Sequence, residues 1–471
     1  MVFSSIIFTF VFLPIVIFLY YISADRYKNL LLLVASLLFY AIGEPKAVLL
    51  MVCSIAFNYT IGILIDRCKL SAYRKVLLIL CVAVNLGSLF YYKYLSYLFS
   101  LTNTYVGTQF KELNIVLPIG ISFFTFQAMS YVIDVYKKKT AVEKNILNVG
   151  LYISFFPQLI AGPIVRYSTI SEQISNRYVN IDKFGEGTRR FIIGFSKKLI
   201  LANNLSIIAE YAFSYENLHE MPVALGWLGS IAFSMQIFYD FSGYSDMAIG
   251  LGKMFGFDLQ ENFNYPYIAN SVTDFWHRWH ISLSQWFRDY VYIPLGGSRK
   301  GVAVQIRNLL VVWVLTGIWH GANVTFLLWG CIFFVALIFE KFILKIEKRR
   351  ITIRIGWQIV TLLIVNIAWI LFNMEDLSRT VMFMKAMAGM YKNAILDYSV
   401  IRLAREYGAF IVFGVLFSTP IIPKIEKIVK NKGRLKTVYE CGYIMISVFL
   451  FMWSVSYLIL GAHNPFIYFN F

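Results

Sequence analysis

The sequence predicts an all-α polytopic membrane protein, a single integral membrane domain over residues 1–471 with about 10–12 transmembrane helices of roughly 20 apolar residues each. Composition is the first observation behind this. Of 471 residues, 59% are apolar, 18% aromatic and only 15% charged, against roughly 45–50% apolar and about 25% charged in an ordinary soluble chain. Next, apolar runs long enough to cross a bilayer core of about 30 Å recur along the whole chain. Finally, the basic residues gather in the short loops between these runs, as the positive-inside bias requires. A soluble chain of this length would split at polar linkers, yet no Pro/Ser/Gly-rich linker or low-complexity tract occurs.

In chain order, the apolar runs cover 3–22, 29–43, 47–65, 76–98, 114–136, 146–164, 190–213, 223–251, 308–320, 323–340, 356–372, 408–423 and 441–461. The first reads as a span and not as a signal peptide, because no Lys or Arg precedes it and no small-residue cleavage site follows. Loop 66–75 carries Arg67, Lys69, Arg74 and Lys75 against Asp66, and loop 137–144 carries Lys137, Lys138, Lys139 and Lys144 against Glu143. Loops 341–354 and 424–436 each hold six basic residues and one Glu. All four are expected to face the cytoplasm, which puts both termini outside. The net charge of +17 is thereby explained by topology and contact with anionic membrane lipids, and no nucleic-acid partner is expected. The five cysteines are scattered without a CxxC, so neither a disulfide framework nor a thiolate metal site is expected.

Two stretches break the pattern. Between about 252 and 307 the chain is rich in Trp, Tyr, His, Arg and Asp, too polar to span and suited to amphipathic interfacial helices. The next stretch, 308–340, has 33 residues between Arg307 and Lys341, where two full spans and a turn would need more than about 40. This predicts a re-entrant hairpin that turns inside the bilayer at Gly317-Ile318-Trp319-His320-Gly321-Ala322-Asn323, with His320 at its tip.

Ionisable residues at membrane depth are functional candidates. A desolvated His320 would favour the neutral form that accepts a proton near pH 7; the alternative is an inert histidine packed between Trp319 and Trp329. In Asp274 to Ser284, a helix would put His277 and His280 one turn apart on one face, with Asp274 and Arg278 as partners. Such a pair can be half of a zinc or copper site completed by His320, although no carboxylate or Cys stands at a supporting spacing. It can also be incidental to an interfacial anchor of Trp276, Trp279 and Trp286. The favoured reading is half of a catalytic pair with His320, without a metal. Asp240 and Asp246, in an apolar, Ser/Gly-containing stretch, suit close helix packing or a polar lining equally. Gly296 to Gly301 offers backbone N–H groups with Arg299 and Lys300 for a phosphate, but without a strand-to-helix context it reads first as a turn.

Several blocks carry a family resemblance: NFNYPY at 262–267, DFWHRWHISLSQWFRDYVYIPLGGSRKG at 274–301 and LTGIWHGANVTFLLWG at 315–330. PIGISFFTFQAMSYVIDVY at 118–136, FFPQLIAGPIVR at 155–166 and DFSGYSDMAIGLGKMFGF at 240–257 agree. The chain resembles the membrane-bound O-acyltransferase family, and within it the bacterial alginate O-acetylation type. The resemblance implies a ring of transmembrane helices, with re-entrant and interfacial helices around a central tunnel, in the bacterial cytoplasmic membrane, and a catalytic core at 252–340. It maps the family's two histidines to His320 and His280, and His277 stands where related members carry Arg. It further implies an acetyl group taken from a cytoplasmic thioester donor, acetyl-CoA or an acyl-carrier protein, with no bound cofactor. The acetyl group passes to an exported SGNH-type partner that esterifies a polysaccharide. The related teichoic acid branch transfers D-alanine from a carrier protein.

The expected chemistry is direct acyl transfer. His320 takes the proton of the acceptor hydroxyl, a contribution typically of about 10²–10⁴-fold. His280, ordered by Asp274 or Arg278, holds the donor carbonyl or serves as oxyanion donor. Trp276, Trp279, Trp286, Arg288, Asp289, Trp319, Asn323, Asp240 and Asp246 are expected to support the pair or line the passage, and Arg299 and Lys300 to attract donor phosphates. A polysaccharide or small-molecule transporter is the alternative from another class, and it would show inverted-repeat symmetry that the sequence lacks.

Overall fold

A computed structural model describes residues 1–108, 110–111, 113, 115–346, 349–429, 433–461 and 467. Among the described residues there are helices and no strands. Among the described residues eight helices are long and apolar enough to cross a bilayer: Asp25–Gly43, Ala47–Arg67, Ser71–Lys93, Ile181–Phe213, Val302–His320, Val324–Leu344, Ile351–Asn373 and Gly433–Ile459. Tyr398–Phe417 and Ile421–Val429, bent by 57° where Pro420 interrupts the hydrogen-bond ladder, make a ninth if counted as one broken span. The protein is a multi-pass membrane protein.

Four expected spans are not among these: 3–22 holds only the shorter apolar helix Phe8–Ile22, 223–251 lies within the long helix Val223–Met254, and 114–136 and 146–164 are interrupted. Within 114–136 the helix begins only at Ile121, after Pro118 and the left-handed Gly120, and Ile121–Tyr136 has 16 residues, nearly all buried in protein. Within 146–164 the helix Ile146–Ser154 stops after nine residues, because Phe155 leaves helical geometry and Pro157 opens a new short turn. Both segments are apolar because they are core, not because they face lipid.

Contacts divide the chain into two compact units: Met1–Phe191 with Tyr244–Glu261, and Ile192–Gly243 with Asn262–Phe471. Two of the three divisions fall inside the helices Ile181–Ser196 and Val223–Met254, and the third falls in the irregular stretch between Glu261 and Asn262. In the first unit, Ile121–Tyr136 packs against Ala47–Arg67 and Ser71–Lys93. Asn58 and Asn85 tie those two outer helices through an amide pair at 2.9 Å, a polar contact suited to an apolar surround. Arg190 binds both Asp246 and Glu261, each at 2.6 Å.

The second unit is built on the antiparallel pair Val302–His320 and Val324–Leu344. Glycines allow its backbones to touch: a Cβ on Gly330 would lie 2.5 Å from the Trp313 carbonyl oxygen, and one on Gly317 2.6 Å from that of Phe326. At 19 and 21 residues the arms measure about 28–32 Å, enough for a full crossing. The arithmetic that required a re-entrant turn therefore fails, because it ended the arms at their charges. Arg307 sits inside the first helix, bonded to Asn308 Oδ1 and the Leu295 carbonyl, and Glu340 is buried within the second. Between 262 and 301 the helices are short, Val272–Arg278 and 281–292 being the longest. Its tryptophans are not interfacial anchors: Trp276, Trp279 and Trp286 are 8%, 2% and 5% exposed, held inside the protein.

Candidate active site

The site grows from a short helix and a turn. Helix Val272–Arg278 starts at Ser271, whose hydroxyl accepts the Asp274 N–H. Its first two N–H groups, on Val272 and Thr273, donate to the buried carboxylate of Glu340 at 2.7 and 3.1 Å, and the Thr273 hydroxyl and the Trp357 indole N–H donate to the same carboxylate. Four donors and the positive helix end satisfy a charge that burial alone would penalise. Glu340 thus fastens the arm Val324–Leu344 to the segment that carries His280.

The helix ends at Arg278. Trp279 is extended and His280 is left-handed at φ 44°, ψ 52°, a conformation uncommon outside glycine. His277 and His280 consequently do not share a helix face: His277 is exposed and His280 is 1% exposed. The reversal is held by backbone bonds from Asn264 N to Arg278 O and from Ile281 N to Asn262 O.

This pairing delivers the Asn262 side chain to His280. Asn262 Oδ1 accepts the Ser282 N–H at 3.2 Å and the Ser282 hydroxyl at 2.8 Å, and lies 3.2 Å from His280 Nδ1. A backbone N–H can only donate, so the atom it meets is the amide oxygen, which settles the amide orientation. Against an acceptor, His280 Nδ1 must carry the proton, and Nε2 then holds the lone pair. Burial pushes the imidazole down to about 3 from its ordinary value near 6.5, so it stays neutral. In this tautomer Nε2 accepts and does not donate, which corrects the expected oxyanion-donor role. Asp274 and Arg278, expected to order His280, instead pair with each other at 2.8 Å and are partly exposed.

His320 ends helix Val302–His320 and is 4% exposed. Its ring meets Trp319, Trp329 and Phe372 edge-on, with centroids 4.9, 5.0 and 5.1 Å away. Gly321 is required behind it: a Cβ there would lie 2.2 Å from the Phe326 ring. The Trp319 ring also contacts His280, at 6.0 Å, so one indole joins the two imidazoles. Trp276 packs on Trp313, Trp329 and Phe333, and Trp279 on Trp369 and Phe263, extending the aromatic enclosure.

Other expected members lie elsewhere. Trp286 packs on Tyr290, and the largely exposed Arg288 pairs with its neighbour Asp289. Asn323 caps the helix Val324–Ile338 and donates to the Glu375 carbonyl. Asp240 is ion-paired with Lys198 at 2.6 Å, both side chains 1% exposed, and accepts the Ile467 N–H; Asp246 is held by Arg190. Both aspartates are thus engaged in ion pairs. Arg299 and Lys300 are exposed, but the N–H groups of Gly296, Gly297 and Arg299 bond to carbonyls of the same loop, so they do not cradle a phosphate. Among the described residues no group of three or more His, Cys, Asp or Glu side chains could hold a metal ion.

Residues 141–375, which contain the whole site, match the model of MBOAT, the membrane-bound O-acyltransferase family. A probable alginate O-acetylase, AlgI of Pseudomonas aeruginosa, is 44% identical over 382 residues, covering 80% of this chain and 73% of its own. The chain belongs to the membrane-bound O-acyltransferase family. A second relative, the peptidoglycan O-acetyltransferase of Helicobacter pylori, is 32% identical with 100% of this chain and 98% of its own covered. The teichoic acid D-alanyltransferase of Bacillus subtilis is 27% identical over half of this chain and 62% of its own. The protein is therefore an acyltransferase enzyme, which sets the transporter alternative aside.

Asn262 and Glu340 are the site residues that sequence reasoning missed. Glu340 had a usable signal, as a carboxylate at the end of an apolar run. Asn262 had none in spacing, since its register depends on the 262–264 strand-like pairing with the turn at 278–281.

Proposed function

We propose that the enzyme moves an acetyl group from a cytoplasmic thioester, acetyl-CoA or an acyl-carrier protein, across the bacterial cytoplasmic membrane for O-acetylation of an extracellular polysaccharide. The observation that carries this reading is the pair of buried imidazoles joined through Trp319 in an aromatic enclosure. The O-acetylating relatives support the acetyl group and the glycan acceptor over D-alanyl transfer, since they align along far more of the chain.

In this mechanism His320 takes the proton of the acceptor hydroxyl as its oxygen attacks the thioester carbonyl. The C–S bond then breaks, and the proton is returned to the departing thiolate, so the imidazole ends neutral. His280 presents its Nε2 lone pair, kept in place by Asn262, and orients a donor hydrogen of a substrate. The enclosing rings exclude water and suppress thioester hydrolysis. Arg299 and Lys300 attract the donor's phosphates from the cytoplasmic side. An exported SGNH-type protein receives the acetyl group, and both termini lie outside, a reading that the four basic loops support.

The test is mass spectrometry of surface glycans from a deletion strain complemented with wild type or His320→Ala. The expected result is loss of the acetyl ester with an unchanged amount of protein in the membrane. Retained acetylation removes His320 from the mechanism, and an alanyl ester in the wild type replaces the acetyl reading.

A further inference from the structure

Outside the histidine site, the second unit carries an apolar groove of about 670 Å³ along the antiparallel helices Val324–Leu344 and Ile351–Asn373. Leu328, Ile332 and Phe339 of the first helix and Trp357, Ile364 and Leu371 of the second line it, and residues of the helix Leu377–Met387 complete its wall. From Leu328 to Phe339 the groove runs about 16 Å. It is open to the surface, with Val335 62% and Phe339 41% exposed.

The two ends differ in charge. Beyond Phe339 and Trp357 stand five exposed cations, Lys341, Lys345, Arg349, Arg350 and Arg354, while the lining toward the other end is apolar apart from Thr380, with the exposed carboxylates Glu375 and Asp376 just before Leu377. Trp357 stands between the groove and these cations, its ring against Phe339 at 5.7 Å and its N–H on Glu340, an amphipathic side chain of the kind that favours a membrane interface. A surface meant for a second copy of this chain would gain nothing from five like charges at one end. We propose that the groove is a binding site for one anionic phospholipid of the cytoplasmic leaflet, its acyl chain along Leu328 to Phe339 and its phosphate among the cations of 341–354. The lipid holds the outer face of the arm that carries Glu340, and the inference does not depend on which acyl group the enzyme transfers.

The experiment reconstitutes the full chain in nanodiscs and titrates in phospholipids with brominated acyl chains, which quench nearby indoles. Brominated phosphatidylglycerol is compared with brominated phosphatidylcholine. The Trp357 contribution is taken as the difference between wild type and Trp357→Phe. Expected is half-maximal quenching of that component at a phosphatidylglycerol fraction at least about tenfold below that of phosphatidylcholine. The Lys341→Gln/Arg350→Gln/Arg354→Gln variant, whose changes are all on exposed side chains, should bring the two lipids together. Val335→Trp should block quenching at Trp357 by both. Equal quenching by the two lipids in the wild type, or a preference that survives the triple substitution, overturns the proposal. So does quenching that falls as protein density per disc rises, which would mark the groove as a contact between copies.

Discussion

A neutral, buried His280 makes the fold sensitive to acid in a calculable way. In the unfolded chain its imidazole takes up a proton near pH 6.5, whereas in the folded protein burial holds it down to about 3. The folded state therefore binds fewer protons below pH 6.5. The stability this group contributes is fully present above that value and is lost as pH falls toward 3. At 1.36 kcal/mol per pH unit, moving from pH 7.5 to pH 5 costs about 2 kcal/mol from this one residue. The perturbation is His280→Gln, which cannot titrate and whose amide can still reach Asn262. The assay is reversible denaturant unfolding in mixed micelles at pH 7.5, 6.5, 5.5 and 5, followed by tryptophan fluorescence. The wild type should lose about 2 kcal/mol more than the variant between pH 7.5 and 5, with nearly all of the difference below pH 6.5. Parallel curves for the two proteins would mean that His280 is hydrated or charged in the fold, and the argument from burial and from the Asn262 tautomer would fall together.

Asn262→Ala leaves the Ser282 N–H and His280 Nδ1 without their acceptor; a stability loss of about 1–3 kcal/mol is expected, with kcat falling more than KM rises in an acetyl-transfer assay. Asn262→Asp should restore the contact while raising the imidazole pKa, seen as a new acidic limb in the pH profile that wild type lacks. Glu340→Ala abandons two helix N–H groups and the Trp357 indole, a loss of about 3–5 kcal/mol by denaturant unfolding, and Glu340→Gln should recover part of it through its one acceptor oxygen. Lys198→Met strands the Asp240 carboxylate at a similar cost, whereas Lys198→Met with Asp240→Leu should regain most of the stability; a double variant as unstable as the single would show the pair is needed for more than mutual neutralisation.

How far the fold was legible depended on what each apolar run had to face. Composition and loop charge were enough for the membrane class and for helices such as 47–67, because lipid-facing helices are apolar all round and flanked by cations. Apolarity says nothing about whether lipid or protein covers a segment, so the core helix Ile121–Tyr136 and the broken stretch after Ser154 read as spans. The hairpin misled for the opposite reason. Arg307 and Glu340 looked like span ends, yet their partners at Asn308, Leu295, Val272 and Thr273 let them lie inside helices. The two histidines were legible from motif text, whereas the left-handed turn at His280 and its Asn262 support are tertiary facts.

The aspartates show what separates a functional intramembrane charge from a structural one. A lone carboxylate in an apolar run is a site by default, because its desolvation must be offset by something useful. Asp240 and Asp246, however, have their counterparts in another apolar run, where Arg190 and Lys198 stand eight positions apart, while the aspartates are six apart. Helices whose cations and carboxylates recur at nearly the same interval can neutralise one another wherever their backbones come close. A glycine allows that at the second pair: a Cβ on Gly243 would lie 2.8 Å from the Gly194 carbonyl oxygen and 3.2 Å from Lys198 N. The ion pairs at 2.6 Å follow from spacing and a missing side chain. His320 instead meets the rings of Trp319, Trp329 and Phe372. Complementary charge between runs, more than charge within one, is the criterion that sorts these residues.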